Sequence, residues 1–276
     1  ADLLERRPEL RLPGGEAGAT VSGVTLDSRA VQPGDLYAAL PGAHAHGADF
    51  AAQAVALGAT AVLTDPDGAA RAGYLGVPVV LADDARAVLG DVASWVHHDP
   101  AADLLVLGVT GTNGKTTTAF LLEAGLRAAG HRTGLLGTVL TRIGDDEVAS
   151  VRTTPEAPEL QALLAVMRER GTTAVAMEVS SHALVLGRVD GVVFDVAGFT
   201  NLSQDHLDFH PTMAAYEAAK AALFTPERAR HGAVLRPYRS QFNAVFEQSD
   251  AFFLNRRPLI APRTFAAMFV LVGTRN

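Results

Sequence analysis

The sequence predicts an α/β protein, with a small α/β domain at the amino end followed by a doubly wound, mostly parallel sheet. Three observations carry this. At 276 residues the chain is long for one domain and suits two. Short apolar runs alternate with helical periodicity, the pattern of strands covered on both faces. One strand-to-helix junction, residues 108–117, is glycine-rich and holds one of only two lysines in a chain that uses arginine almost everywhere else.

In the first domain, residues 1–98, Val21–Val24 and Asp35–Leu40 read as strands separated by a Pro33-Gly34 turn. Phe50–Leu57 reads as a helix stopped by Gly58, Thr60–Thr64 and Val77–Leu81 as short strands, and Ala85–His97 as a helix capped by Asp83 or Asp84. The polar break His97-His98-Asp99-Pro100 sets the boundary. The second domain, 99–231, opens on Leu104–Val109, a strand with no polar face, as a covered parallel sheet requires. Thr116–Ala129 is a helix stopped by Gly130, and Thr133–Val139 a second strand. Glu159–Arg170 is a helix with Pro158 in its first turn. Ala174–Met177 and Val192–Val196 are further strands, and Thr212 caps a helix that runs toward Phe224. Residues 232–276 read differently: they hold six of the 12 Phe, no Lys, only Glu247 and Asp250 as acids, and no clear period.

A hydrophobic content of 48% against 19% charged residues supplies a sizeable core and excludes disorder. A net charge of -7 without a lysine-rich run argues against nucleic acid as the main partner. With no cysteine there is no disulfide, thiolate nucleophile or cysteine zinc site, which fits a reducing compartment. No apolar run approaches the roughly 18 residues of a membrane span, and no signal peptide opens the chain. The expectation is a cytoplasmic protein. Because residue 1 is Ala, an upstream segment is expected as well.

Three segments carry chemistry. The first, Gly-Val-Thr-Gly-Thr-Asn-Gly-Lys-Thr-Thr (108–117), is a P-loop pattern. Backbone N–H groups of such a turn cradle phosphate, Lys115 reaches the outer phosphates and the Thr116 hydroxyl ligates Mg²⁺. Val109 stands where the usual spacing has glycine, and no Asn-Lys-x-Asp motif occurs, so a generic kinase or GTPase is disfavoured. The second is Met177–Leu184, where Glu178 at a strand end can complete a metal shell and the role of His182 stays open. The third is Phe199–His210, polar at eight of its positions, in which Asp205, His206 and Asp208 could hold a metal. The second lysine, Lys220, follows Tyr216 at a spacing of four. A lysine kept in so arginine-biased a chain is expected where only a compact ammonium or a modifiable amine will serve.

Taken in order, Gly-Thr-Asn-Gly-Lys-Thr-Thr, Met-Glu-Val-Ser-Ser-His-Ala-Leu, Thr-Asn-Leu-Ser-Gln-Asp-His-Leu-Asp-Phe-His and Tyr-x-x-x-Lys resemble the Mur ligase family. Thr153-Thr154-Pro155 and Ser-Ser-His-Ala-Leu look most like its third-residue-adding, MurE-type members, and Asp27-Ser28-Arg29 resembles the uridine-binding first domain. The resemblance covers residues 20–231. It implies ATP-dependent amide formation: the terminal carboxylate of UDP-N-acetylmuramoyl-L-Ala-D-Glu attacks ATP, and the amine of a diamino acid, meso-diaminopimelate or L-lysine, displaces phosphate. It also implies the roles. Gly111, Thr112, Asn113, Gly114, Lys115, Thr116, Thr117 and Asn201 would meet ATP. Thr116, Glu178, His206 and Lys220 would hold Mg²⁺, with Lys220 carbamylated and Lys115, His206 and Lys220 catalytic. Ser28 would contact the uridine diphosphate, and Thr153, Thr154, Ser180 and Arg188 the muramoyl-peptide. A folylpolyglutamate synthetase relative would share the P-loop and the lysine, but Asp27-Ser28-Arg29 favours the UDP-sugar.

The family pattern also calls for a further strand after the Lys220 helix and for a third, Rossmann-like domain with an Asp-Asn-Pro-Arg motif. None of these is recognisable, so an incomplete central sheet, an absent third domain and an aberrant, unrelated tail over 232–276 are expected. The alternative to a working ligase is then a fragment that only binds UDP-substrate or nucleotide.

Overall fold

The computed structural model describes residues 3–13 and 18–234, which fall into two compact units. Of these residues, one unit comprises 3–13, 18–100, 156–165 and 189–191, the other 101–155, 166–188 and 192–234.

The first unit begins with a single helical turn, α1 (Leu3–Arg6), and is built on a four-stranded parallel sheet in the order β1 (Gly23–Thr25), β2 (Asp35–Ala38), β3 (Ala61–Thr64), β4 (Val79–Leu81). Alternation along β2 divides the core into two layers. Leu36 and Ala38 pack with Leu63 and Val80 against Val88, Leu89 and Val92 of α4 (Ala85–Val96). Tyr37 and Ala39 pack with Val62 against Ala51 and Ala54 of α2 (Ala51–Ala56). Asp84 caps α4 by accepting from the backbone N–H groups of Arg86 and Ala87. A helix unread in the sequence, α3 (Pro66–Ala72), starts where Asp65 caps it and proline occupies the first turn.

The second unit holds a seven-stranded sheet. Its elements in chain order are β5 (Leu105–Thr110), α5 (Lys115–Ala128), β6 (Thr133–Leu136), β7 (Leu140–Ile143), β8 (Asp146–Ala149), the end of α6 (Ala157–Glu169, of which residues 157–165 belong to the first unit), β9 (Ala174–Glu178), α7 (Ser181–Val185), β10 (Phe194–Phe199), α8 (Met213–Ala221) and β11 (Ala229–Val234). The sheet order is β11-β10-β5-β9-β6-β7-β8, parallel from β11 to β6. Leu126 and Ala119 of α5 pack on Leu107, Ala174, Leu135 and Ala176 of the sheet.

Two expectations need correction. The strand expected over 133–139 ends at Leu136, because the chain turns back into an antiparallel hairpin, β7–β8, on the sheet edge. Its turn places Gly144 at φ 64°, a conformation that favours glycine at the first position of a two-residue loop. The missing strand after the Lys220 helix is present: β11 pairs parallel with β10 from Phe194↔Ala229 to Phe199↔Val234. Residues 232–234, expected to be foreign, therefore belong to the sheet. The remainder of the expected tail, 235–276, lies outside the described residues. Among the described residues no helix is long and apolar enough to cross a membrane.

Candidate functional site

In the second unit β5 lies between β9 and β10, and the connections from β5 and β9 leave toward opposite edges. Ligands of doubly wound sheets bind at such a point, beyond the carboxyl ends of the strands. Three segments meet there: the turn after β5, the end of β9 and the loop after β10.

The turn is held from outside. Asn201 accepts from the Asn113 N–H through Oδ1 (3.0 Å) and donates Nδ2–H to the Asn113 carbonyl (2.9 Å), while the Thr112 N–H bonds the Asn201 carbonyl (2.8 Å). Thr112 Oγ1 accepts from Ser203 N (3.0 Å) and lies 3.2 Å from the Tyr216 hydroxyl. Gly114, at φ 83°, begins α5 with no side-chain cap, and a Cβ there would meet nothing within 4 Å. The first N–H groups of a 14-residue helix thus face open space, a geometry that suits an anion.

Both lysines converge on one atom. Lys115 Nζ donates to the carbonyls of Gly111 (3.0 Å) and Thr112 (2.9 Å), and Lys220 Nζ donates to the same Gly111 carbonyl (2.8 Å). Burial lowers the Lys115 ammonium below its ordinary value. Lys220 is 1% exposed, lies 4.4 Å from the centre of the Tyr216 ring, and is pushed down to about 7 by burial and then by the charge of Lys115. An amine with that value is substantially neutral, hence nucleophilic, at neutral pH.

Glu178, 1% exposed, ends β9 opposite the start of α5. Its carboxylate accepts from Thr116 Oγ1 (2.9 Å) and from the Thr138 N–H (2.8 Å). A hydroxyl and a buried carboxylate at this separation, beside an uncapped helix start, are the oxygen donors that a hard divalent cation bound to phosphate takes, so the residues fit Mg²⁺. The Glu178 carbonyl accepts from Thr154 Oγ1 (2.9 Å), which in turn accepts from Ser180 N (3.2 Å). The Thr153 hydroxyl lies 3.0 Å from that of Thr138.

These groups line a cavity of about 640 Å³. Of the residues singled out in the sequence, Thr112, Asn113, Gly114, Lys115, Thr116, Thr153, Thr154, Glu178, Ser180, Arg188 and His206 line it. Asn201, Gly111 and Lys220 stand behind the turn, joined to it by the bonds above, and Thr117 lies inside α5. Ser28 belongs to the first unit, where it is 8% exposed. Asp27 beside it pairs with Arg29 at 2.8 Å, which holds its carboxyl at about 2. Asp205, His206 and Asp208 do not form a ligand set of their own. Asp205 accepts from His206 N and lies 3.6 Å from its Nε2, and among the described residues no three His, Asp or Glu side chains are grouped to hold a metal. Thr138, Val151 and Arg152 also line the cavity and were missed. Thr138 follows the carboxyl end of β6, so the rule that located Glu178 could have located it, while the only signal for Arg152 is that it adjoins Thr153-Thr154.

Comparison with known proteins follows this geometry. Residues 109–251 match the family model described as Mur ligase middle domain, and residues 20–97 match Mur ligase family, catalytic domain. The first match runs past residue 231, the end of the resemblance carried by the motifs. The chain is 61% identical over 232 residues to the UDP-N-acetylmuramoyl-L-alanyl-D-glutamate--2,6-diaminopimelate ligase of Streptomyces coelicolor, covering 84% of this chain and 46% of that protein. It is 53% identical over 217 residues to the UDP-N-acetylmuramyl-tripeptide synthetase of Leifsonia xyli subsp. xyli, covering 79% of this chain and 42% of the relative. The chain thus spans about half the length of the curated relatives it matches. A solved diaminopimelate ligase of the same description superposes with a TM-score of 0.72 at 28% identity, over 93% of this chain and 53% of that one. A MurF ligase from Thermotoga maritima in complex with ADP shares the fold, with a TM-score of 0.54 at 20% identity.

Proposed function

The chain belongs to the Mur ligase family, and from that premise we propose that it serves ATP-dependent addition of a diamino acid to UDP-N-acetylmuramoyl-L-Ala-D-Glu, a step of peptidoglycan precursor synthesis. Diaminopimelate is the preferred diamino acid over L-lysine, since the relatives from Streptomyces and Corynebacterium carry 2,6-diaminopimelate in their names. The reading is carried by one observation: Lys115 and Lys220 meet on the Gly111 carbonyl while Thr116 and Glu178 pair on the adjoining cavity wall.

The terminal carboxylate of the UDP-substrate attacks the γ-phosphorus of ATP, releasing ADP and leaving an acyl phosphate. The diamino acid's amine then displaces phosphate and loses a proton. The start of α5 binds phosphate through its N–H groups, and Lys115 exchanges its carbonyl partners for phosphate oxygens. Thr116 and Glu178 would hold one Mg²⁺, and His206 with a carbamylated Lys220 a second. Bound Mg²⁺ neutralises charge that develops on the transferring phosphoryl oxygens. Carbamylation is attack of the neutral Lys220 amine on CO₂: an N–C bond forms, one C=O bond opens to a carboxylate oxygen, and a proton leaves. Thr153, Thr154, Ser180 and Arg188 orient the muramoyl-peptide, and Ser28 contacts its uridine diphosphate.

Phosphate release from ATP tests the proposal and is expected only when UDP-N-acetylmuramoyl-L-Ala-D-Glu and the diamino acid are both present. Release without the UDP-substrate would point to a kinase or ATPase. Binding of nucleotide or UDP-substrate with no release would identify a binding fragment. Lys220→Ala should lose most activity and regain part of it with added short carboxylates; full activity without them rules out the carbamate.

A further inference from the structure

The proposed metal ligands Glu178 and His206 sit on two arms that the sheet joins only through β5. Glu178 and Ser180 stand at the end of β9, and His206 in the loop after β10, with β5 between these strands. Two strand spacings, about 10 Å, therefore separate the arms at their base; β5 registers both strands, with Val109 opposite Glu178 and Gly198, but the ladder ends at Phe199, seven residues before His206. A buried polar bridge spans them above β5: His210 Nε2 lies 2.9 Å from Ser181 Oγ, with His210 3% and Ser181 1% exposed.

We propose that His210 is a positioning residue, whose buried bond to Ser181 locks the loop bearing His206 against the turn bearing Glu178. The inference rests on the magnesium reading above and deepens it. Position passes from His210 to His206 through the backbone. The His206 carbonyl accepts from the N–H groups of Phe209 (3.1 Å) and His210 (2.9 Å), so residues 206–210 close into one turn. His206 has φ 52°, a left-handed conformation that a residue with a Cβ keeps only where its surroundings impose it. The rings add a second grip from the same arm. His182, next to Ser181, lies tilted over Phe209 with centroids 4.1 Å apart and meets His206 edge-on at 5.0 Å. Groups that orient a metal ligand from behind tune affinity without touching the ion, whereas a bond that only filled the core would alter stability alone.

The test uses the 276-residue chain with a non-hydrolysable ATP analogue and reads Mg²⁺ affinity by calorimetry and amide hydrogen exchange by mass spectrometry. Ser181→Ala and His210→Ala should each weaken Mg²⁺ by about tenfold and speed exchange over residues 201–212 but not over 23–64. His210→Gln, whose amide reaches the same position as Nε2, should recover most of the loss. The double variant should lose no more than either single one, since both remove one bond. Unchanged affinity and exchange in a folded Ser181→Ala or His210→Ala protein overturns the proposal, as does additive loss in the double variant. If His210→Ala does not fold, Ser181→Ala decides alone. If the unmodified chain binds no Mg²⁺-nucleotide, the magnesium reading fails first. Local exchange then decides whether the bridge locks the loop: acceleration confined to 201–212 upholds it, and its absence overturns it.

Discussion

Two carboxylates in the second unit are almost equally buried and differently answered. Glu123, on the later turns of α5, is 3% exposed; Glu178, opposite the first turn of that helix, is 1% exposed. Glu123 accepts from Arg142 Nη1 at 2.9 Å, from Arg127 Nε at 3.1 Å and from the Thr133 hydroxyl. Arg142 continues to Glu147 on β8, and Arg127 donates to the Gly144 carbonyl, so this hub fastens the hairpin to the helix. The hydrogen bonds to Glu178 come from Thr116 and Thr138, neutral donors. A buried anion is costly unless its charge is compensated. The first site is complete as it stands, while the second has room in its chemistry for a cation. Burial alone therefore does not separate a structural acid from a working one; the charge of its partners does.

The sharpest break of that contrast is at Glu123. Glu123→Leu keeps the volume but leaves Arg142 and Arg127 without their shared acceptor, and should cost about 3–5 kcal/mol of stability, the range for a broken buried ion pair. Urea denaturation measures it, and a loss below about 1 kcal/mol would mean the hub is not a structural centre. Glu178→Gln should do the opposite. Its amide can still accept from the Thr138 N–H, so stability should move by no more than about 1 kcal/mol. Mg²⁺-dependent nucleotide affinity should fall by about 100-fold, the upper end of what altered metal surroundings produce. Calorimetry checks this, and retained affinity would remove Glu178 from the metal site.

The same contrast explains what could be read from the sequence. The site was legible because each part follows an apolar strand: Gly111–Thr116 after β5, Glu178 at the end of β9, Thr200–His206 after β10. Local chemistry and strand ends sufficed there. The hairpin was not legible because its determinants are distant and polar. Leu140–Ile143 and Asp146–Ala149 lack a buried face, and their anchor, Glu123, lies on a helix 19 residues before Arg142. β11 was missed for a related reason. Ala229-Arg230-His231-Gly232 is a poor strand signal, and it is tied to the sheet by Arg230 bonding Asp195, whose other oxygen accepts from Val106 N. Pairings of this kind exist only once the sheet has assembled.

The third test uses pH. Lys220 titrates at about 7 in the folded protein against 10.5 for the free side chain. Between those values the folded state holds fewer protons than the unfolded one, so this side chain makes stability rise with pH across the window and contributes least below about 7. The slope from one group is at most about 1.4 kcal/mol per pH unit. Melting curves from pH 6 to 10 in CO₂-free buffer, where Lys220 stays an amine, should show the rise, and Lys220→Met should flatten it; an unchanged slope would mean the amine is not buried as described.

The smallest expected effect sharpens the first comparison. Arg127 and Arg142 both reach Glu123, but their side chains are 45% and 18% exposed, respectively. Solvent screens the first, and Arg142 also lies 5.8 Å from the centre of the Phe120 ring. If Arg142 is the principal counter-ion, Arg127→Ala leaves Glu123 paired and should cost no more than about 1 kcal/mol, the range of a half-exposed ion pair. The same urea titration reads it. A loss equal to that of Glu123→Leu would show that the hub needs both cations, and that completeness of charge, rather than one well-buried partner, is what makes this acid structural.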